Sequence, residues 1–413
     1  MIKAIREIYR KHKIIFQKQG LKPMLSAIRN SAKLRMCNFI RSLIIKNTKV
    51  DEKLLIFHDR GRLEDNSFAL YKYMIDNGFA SKYRFIWFVN EPAELKKYRR
   101  SHVKFIKFPP QTNKETLVFE YYKNKVKYFF FTQEVIINNL KQAQSIVYLG
   151  HGCGFKQDKN QPDLGKHFDI ALVPGPFFAR VQPDVWHCNS DKLLVLGFPR
   201  NDTLIHLKNK KTASKIKNIL WMPTFRKSIY TSVSEEYLNN ETGLPLLTSK
   251  QLIEKLDSFL DNTNAKITLK IHPASAELPV FGQKYRNIEI VTNEMLFEKN
   301  MQLYEFVAES DALITDYSSM SIDYLLLDRP IGFILSDYAE YKASRGFSVD
   351  DPREYMPGAH IYTFEDLLMF IDSVKNDEDN FTEQRESIKK IMHINTDGTA
   401  CEKILDYLNI TTK

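Results

Sequence analysis

The chain has 413 residues, 43% of them apolar, and a formal net charge of +10. That is enough for two or three domains with sizeable cores. Four scattered cysteines, Cys37, Cys153, Cys188 and Cys401, form no CxxC pair, which favours a reducing compartment and argues against a zinc site; no apolar run of 18 residues or more exists, which excludes a convincing transmembrane helix.

No clean apolar region follows the basic start, so a secretory signal peptide is not expected. Residues 1–50 hold thirteen Lys or Arg against one acid, Glu7, and the remainder of the chain carries −2. Apolar residues are interleaved there, including Ile5, Ile8, Leu25, Ile28, Leu34, Met36, Phe39, Ile40 and Leu43. Helical spacing with a Lys/Arg face predicts helices lying on an anionic membrane surface. Nucleic acid is the rival partner, weakened by the lack of an aromatic-rich basic sheet signature, and a basic helix packed on its own protein is the plain alternative.

From residue 51 strands and helices alternate. Strands are expected at Leu54–Phe57, Tyr83–Val89, Val103–Ile106, Tyr128–Thr132, Ser145–Leu149, Phe168–Val173 and Leu193–Leu196, with helices at Tyr71–Asn77, Glu91–Arg100 and Thr112–Lys123. A polar linker, Asn209–Lys217, precedes a second series. There strands are expected at Ile219–Met222, Lys266–Ile271 and Ile288–Val291, with helices at Leu252–Leu260 and Leu303–Glu309. Glu365–Ser373 and Ser387–Leu408 close the chain as helices. This alternation predicts parallel, doubly wound sheets with a ligand cleft at their strand ends.

The most informative stretch is Asp311–Phe333. A short strand, Ala312–Ile314, stops at Thr315-Asp316-Tyr317-Ser318-Ser319; a helix resumes at Met320 and ends at Asp328-Arg329-Pro330 before the next strand, Ile331–Leu335. The hydroxyl-rich turn lies at a strand's carboxyl end and a helix N-terminus, where free N–H groups favour an anion such as phosphate. Equally, the serines there cap the helix; both readings stand.

Other strand ends carry chemistry. His151 lies in Gly150-His151-Gly152-Cys153-Gly154-Phe155-Lys156, where glycines allow a tight turn, a histidine suits a general base near neutrality, and Lys156 suits a phosphate. Arg226 follows a strand and has the fork that grips phosphate; His272 ends a strand before Pro273. A lone loop histidine is commonly structural, but four such features at strand ends point to one site. No Walker-type loop and no Asp-x-Asp metal motif appears, so no metal is assigned.

These residues resemble the CDP-glycerol glycerophosphotransferases of teichoic-acid and capsule synthesis. The family's His-Gly-Thr-x-x-Lys is matched by His151–Lys156, with Cys153 in place of the threonine. Gly-x-Pro-Arg-Asn-Asp is matched at Gly197–Asp202, Pro-Thr-Phe-Arg at Pro223–Arg226, and His-Pro at His272-Pro273. Thr-Asp-Tyr-Ser-Ser followed by Asp and Leu-Asp-x-Pro is matched at Thr315–Ser319, Asp323 and Leu327–Pro330. Arg345-Gly346-Phe347, Pro357-Gly358 and Asp397-Gly398 complete the series; residues 1–50 lie outside it.

The resemblance implies a GT-B-like fold of two Rossmann-like domains, an acceptor domain at 51–208 and a nucleotide-binding domain at 209–380. It further implies a C-terminal helix, 381–413, crossing back, and peripheral attachment through 1–50 at the cytoplasmic membrane face. The donor would be CDP-glycerol or CDP-ribitol, with no other cofactor, and the acceptor a lipid-linked or polymer hydroxyl; a homo-oligomer is compatible with the sequence. Lys156, Arg226, Thr315, Asp316, Ser318, Ser319 and Asp323 fall to the donor phosphates, His151 and His272 to catalysis, and Arg200, Arg345 and Gly346 to supporting motifs. Among the ionisable candidates His151 suits the base: carboxylates in the phosphate-binding half would repel a diphosphate, and His272 shares that half. Alternatives are a GT-B nucleotide-sugar glycosyltransferase and a non-catalytic membrane-bound glycan-binding scaffold.

Overall fold

A computed structural model describes Arg10, Ile15, Gln17 and residues 21–412, apart from Arg99 and the stretches 134–136, 158–162, 211–213, 225–239 and 272–278. In chain order a long helix α1 (Leu21–Asn47) precedes β1 (Asp51–His58), α2 (Asp65–Asp76), β2 (Arg84–Val89), β3 (Val103–Lys107), α3 (Asn113–Lys125) and β4 (Val126–Phe131). Then come β5 (Ser145–Tyr148), β6 (Ile170–Val173), α4 (Pro176–Trp186), β7 (Leu193–Val195) and α5 (Pro199–Leu207). The second series holds β8 (Lys217–Trp221), α6 (Lys250–Leu260), β9 (Ala265–Lys270), β10 (Ile288–Val291), α7 (Asn293–Glu298), α8 (Leu303–Ala308) and β11 (Ala312–Thr315). It closes with α9 (Met320–Tyr324), β12 (Ile331–Ile334), α10 (Tyr338–Ser344), β13 (Ala359–Ile361), α11 (Phe364–Lys375), α12 (Thr382–Met392) and α13 (Ala400–Tyr407).

The chain forms two compact units. The first comprises Met1–Arg62, Lys82–Phe129 and Ile137–Ser145; the second comprises Leu63–Ser81, Phe130–Ile136 and Ile146–Lys413. Within the first, strands run in the order β3-β2-β1-β4, with β1 parallel to β2 and β2 to β3. Its strands are apolar on both faces, as in Leu54–Phe57 and Phe85–Val89, which suits a sheet covered on both sides. On α1, Cys37 is buried and Arg41 Nε donates to Glu120 Oε1 of α3 at 2.8 Å. One side of α1 exposes Leu21, Leu25, Ile28, Met36, Phe39 and Leu43 at helical spacing, between the exposed Lys22, Arg29 and Lys33 on one edge and Arg35 and Lys46 on the other; Leu34, Ile40 and Ile45 are exposed off that line. Among the described residues no helix is long and apolar enough to cross a membrane.

The second unit contains β5, β6 and β7 in adjacent order and a complete six-stranded sheet, β10-β9-β8-β11-β12-β13, whose paired strands are all parallel. Its core packs Ile219, Trp221, Ile267, Leu269 and Ile314 against Ile253, Leu256 and Leu260 of α6 and Leu367 and Ile371 of α11. Each such aliphatic side chain stabilises the fold by about 1.5–3 kcal/mol when fully buried. Ser249 caps α6 through Leu252 N, and Thr363 with Asp366 forms a capping box on α11. The winding direction reverses between β8 and β11, and it is outside the carboxyl ends of strands at such a reversal that open α/β sheets bind ligands.

Three sequence expectations are revised. Glu91–Arg100 is not an α-helix: among its described residues only Lys96–Tyr98 coil, as a 3-10 turn, and Leu95 is the one described side chain that is buried, too little apolar surface to hold a longer helix against the fold. Ser387–Leu408 is not continuous; α12 ends at Met392, and α13 starts after Gly398, whose φ of +78° sets the turn. Helices α4, α5, α7 and α10 and strand β13 were not expected: α5, α7, α10 and β13 are short, and α4 carries Pro176 at its start and Pro183 inside it, residues that read as breakers in sequence.

Candidate functional site

The site is built wholly within the second unit. Strand β5 ends at Tyr148 and delivers His151 on the glycine loop, where His151 Nδ1 lies 2.6 Å from Asp65 Oδ2. Asp65 opens α2 with φ of +57°, a left-handed backbone that Asp and Asn adopt more readily than most residues. Its neighbour Asn66 is buried: its amide nitrogen donates to Leu149 O at 3.1 Å and Gly150 O at 2.7 Å, and its oxygen accepts from Arg200 N at 3.0 Å. One side chain thus fixes the start of the His151 loop and the start of α5.

Pro199 sets the first turn of α5, and the next three residues all reach partners outside the helix. Arg200 Nη1 donates to Asp65 Oδ1 at 2.6 Å and to His151 O at 2.9 Å, while Nη2 donates to Asp323 Oδ2 at 2.7 Å. Asn201 Nδ2 donates to the other Asp323 oxygen at 3.1 Å. Asp202 accepts from Ala400 N at 3.0 Å and Cys401 N at 2.9 Å, capping α13. The Tyr304 hydroxyl also donates to Asp323, and the guanidinium carbon of Arg200 lies 4.7 Å from the Tyr304 ring centroid and 5.4 Å from that of Phe198.

Charges here are held by one another. Burial alone would raise the Asp65 carboxyl, but the Arg200 guanidinium and the His151 hydrogen bond outweigh it and keep it well below the usual carboxylate range. Burial works against the Arg200 charge, and Asp65, Tyr304 and Asp323 together hold it firmly protonated. Cys153 is buried, and burial together with the Asp323 charge lifts its thiol well above the ordinary value, so it behaves as a small apolar residue.

The glycines of the His151 loop allow close approach to the hydroxyl turn after β11. A Cβ on Gly152, at φ +133°, would lie 2.6 Å from Ser319 Oγ and 3.1 Å from Arg200 Nη2; one on Gly154 would lie 3.3 Å from Ser319 Cα. The turn itself rests on an aromatic cluster. Tyr317 lies 4.1 Å from Tyr341 and 5.3 Å from Phe347 between centroids, and its hydroxyl donates to Asp337 at 3.1 Å.

His151, Arg200, Ser319 and Asp323 are therefore brought together. Lys156 pairs with Phe347 in an antiparallel bridge, and Gln157 N donates to Gly346 O at 3.3 Å, which places Lys156 beside the Arg345-Gly346 turn that ends α10. Ser318 takes the capping role, its Oγ accepting from Met320 N at 3.3 Å, whereas Ser319 makes no side-chain cap bond. The sequence reading gives Thr315 and Asp316 to the phosphate; here the Thr315 hydroxyl donates to Met222 O at 2.8 Å, and Asp316 accepts from Thr224 N at 2.9 Å and Thr224 Oγ1 at 2.6 Å. Both are buried and brace the turn against the loop after β8. Arg226 and His272 lie outside the described residues. Sequence reasoning missed Asp65, Asn66 and Tyr304. A polar run after β1 was the available signal for the first two, and Tyr304 gave none. It also missed Lys270, buried at the end of β9, whose amine burial lowers to about 8 against the pull of Glu294 and Glu64. Among the described residues no three His, Cys, Asp or Glu side chains group as a metal site.

Parallel sheets with His151, Arg200, Ser319 and Asp323 gathered by the loops and helices that follow their strands make an α/β architecture of the GT-B-like kind. Residues 39–409 match the family described as CDP-Glycerol:Poly(glycerophosphate) glycerophosphotransferase, and the chain belongs to that family. It is similar to the teichoic acid ribitol-phosphate primase of Bacillus spizizenii, 26% identical over 255 residues covering 59% of each chain. It is also similar to the teichoic acid glycerol-phosphate transferase of Staphylococcus aureus, 28% identical over 241 residues covering 57% of this chain and 56% of that one. The matched region thus spans under three fifths of these relatives' own length. The solved wall teichoic acid polymerase TagF shares the fold at a TM-score of 0.72 and 22% identity, over 93% of this chain and 96% of the solved one. A putative UDP-N-acetylglucosamine 2-epimerase from Listeria monocytogenes shares it at 0.52 and 11% identity, over 87% and 96%, so architecture alone does not choose the chemistry.

Proposed function

We propose that this chain transfers a polyol phosphate, glycerol phosphate or ribitol phosphate, from its CDP derivative to a hydroxyl of a lipid-linked or polymer acceptor in teichoic-acid or capsule synthesis, releasing CMP. The observation that carries this is the continuous contact from His151 through Asp65 and Arg200 to Asp323, abutting Ser319 at a strand-end turn. In this reading the acceptor hydroxyl loses its proton to His151. Ser319, Lys156, Arg226 and His272 hold the diphosphate, and the braced Thr315–Asp316 pair keeps the turn in shape. Phosphoryl transfer depends on positioning and on stabilising charge at the transferred group, which is what such a set provides.

Incubating the purified full chain with CDP-glycerol or CDP-ribitol and a defined lipid-linked acceptor is expected to release CMP and add the matching mass to the acceptor. No CMP with either donor would refute the reading, and turnover with a nucleotide sugar alone would favour a glycosyltransferase.

The stripe on α1 extends the proposal to the membrane. Six exposed apolar residues edged by basic ones fit a helix seated on an anionic leaflet, where each basic side chain gains up to about 1 kcal/mol, less at high salt. Deleting residues 1–50 is expected to release the protein from anionic vesicles in a sedimentation assay; undiminished binding by the truncated chain would show that attachment lies elsewhere. The reading places the enzyme on the cytoplasmic face as a peripheral protein.

A further inference from the structure

We propose that Asp65 is the positioning residue of His151: it holds the imidazole in the tautomer with the proton on Nδ1, so that Nε2 is the atom that takes the acceptor's proton. This rests on the transfer reaction proposed above. Three features support it. The His151 Nδ1 to Asp65 Oδ2 distance is 2.6 Å, short for a nitrogen donor and suited to a charge-assisted bond. Asp65 is fixed from its other side by Arg200 at 2.6 Å, so it cannot turn away from the ring. Its left-handed backbone, φ +57°, confines the position to residues that tolerate that conformation, and it aims the carboxylate from the first residue of α2 at the loop after β5.

The step balances as follows. The acceptor oxygen forms a bond to the β-phosphorus as its proton passes to Nε2. The bond from that phosphorus to the bridging oxygen breaks, and CMP leaves with the electron pair. Nε2 later returns the proton to water. Throughout, Nδ1 keeps its proton against Asp65, whose negative charge stabilises the imidazolium formed at mid-reaction. The charged groups around the pair are Arg200, bonded to Asp65, and Asp323, bonded to Arg200. The Tyr148 hydroxyl bonds the His151 backbone, and Tyr304 bonds Asp323.

Asp65→Asn separates this role from a scaffolding one. Asparagine has the same shape and tolerates the left-handed backbone. Its oxygen would stay on Arg200, leaving its NH2 to face Nδ1; that forces the imidazole proton onto Nε2 and removes the base. Turnover is expected to fall at least about a hundredfold with the donor KM changed less than about threefold. A purely structural role for Asp65 would instead change the donor KM or the thermal midpoint along with turnover.

A second readout needs no turnover. Proton NMR of the wild-type chain should show a low-field imidazole N–H resonance that is absent from both His151→Ala and Asp65→Asn. Its absence from the wild type, or its persistence in Asp65→Asn, overturns the assignment. If the chain turns over no CDP-polyol, the resonance still decides whether the pair exists, which distinguishes failure of this inference from failure of the reaction assigned above.

Discussion

His151→Ala is expected to lower turnover at least about a hundredfold while CDP-glycerol binding stays nearly unchanged. The acceptor is an alcohol, a weak nucleophile at neutral pH, and a positioned base contributes roughly 10²- to 10⁴-fold in such steps. The structure makes the variant interpretable. The His151 side chain is 45% exposed, so its removal leaves no core cavity, and Asp65 keeps its ion pair with Arg200. CMP release under saturating donor, together with calorimetric titration of CDP-glycerol, checks the split. Near-normal turnover with weakened donor or acceptor binding would mean that His151 merely orders the glycine loop, and would remove it from the mechanism.

The largest effect on folding is expected at Arg200. Its side chain is 5% exposed and bridges Asp65, 11% exposed, and Asp323, 3% exposed. Arg200→Met keeps the length of the side chain but leaves two enclosed carboxylates without their cation. Breaking one partner out of a buried ion pair costs about 3–5 kcal/mol, far more than the net contribution of the intact pair. Denaturant titration is expected to show a loss of that size, and turnover should vanish with the displacement of Asp65. The decisive comparison is Arg200→Met combined with Asp323→Asn. Neutralising the stranded carboxylate should recover part of the loss, giving a coupling of at least about 1 kcal/mol. Strict additivity of the two changes would show that Arg200 and Asp323 do not act as a pair.

Much of the fold is legible because its central strands are buried on both faces and therefore read as continuous apolar runs, such as Leu54–Phe57 and Ile219–Trp221. The motif residues His151, Arg200, Ser319 and Asp323 are found together because each ends a strand or begins a helix, positions that polar punctuation marks in sequence. Asp65 was hidden for a physical reason. It lies 86 residues from His151, in a polar run with no periodicity, and its role exists only once the start of α2 and the loop after β5 are brought together. Thr315 and Asp316 were placed at the ligand because hydroxyls and carboxylates at a strand end suit one. Sequence does not reveal that Thr224 and Met222 take up those same groups first. Gly398 breaks a helix that an apolar count alone would continue.

The bond between Arg200 and Asp323 joins residues 123 positions apart, and this constrains how the chain can change over generations. Replacing Arg200 first strands the enclosed Asp323 carboxylate, whereas replacing Asp323 first leaves Arg200 its pair with Asp65, so the two orders of substitution are unequal. Asn201 and Tyr304 enlarge the barrier, since both also bind Asp323. Drift is thus easier when it begins at Asp323, and a transplanted segment carrying Asp323 without Arg200 would bring an enclosed carboxylate with no cation.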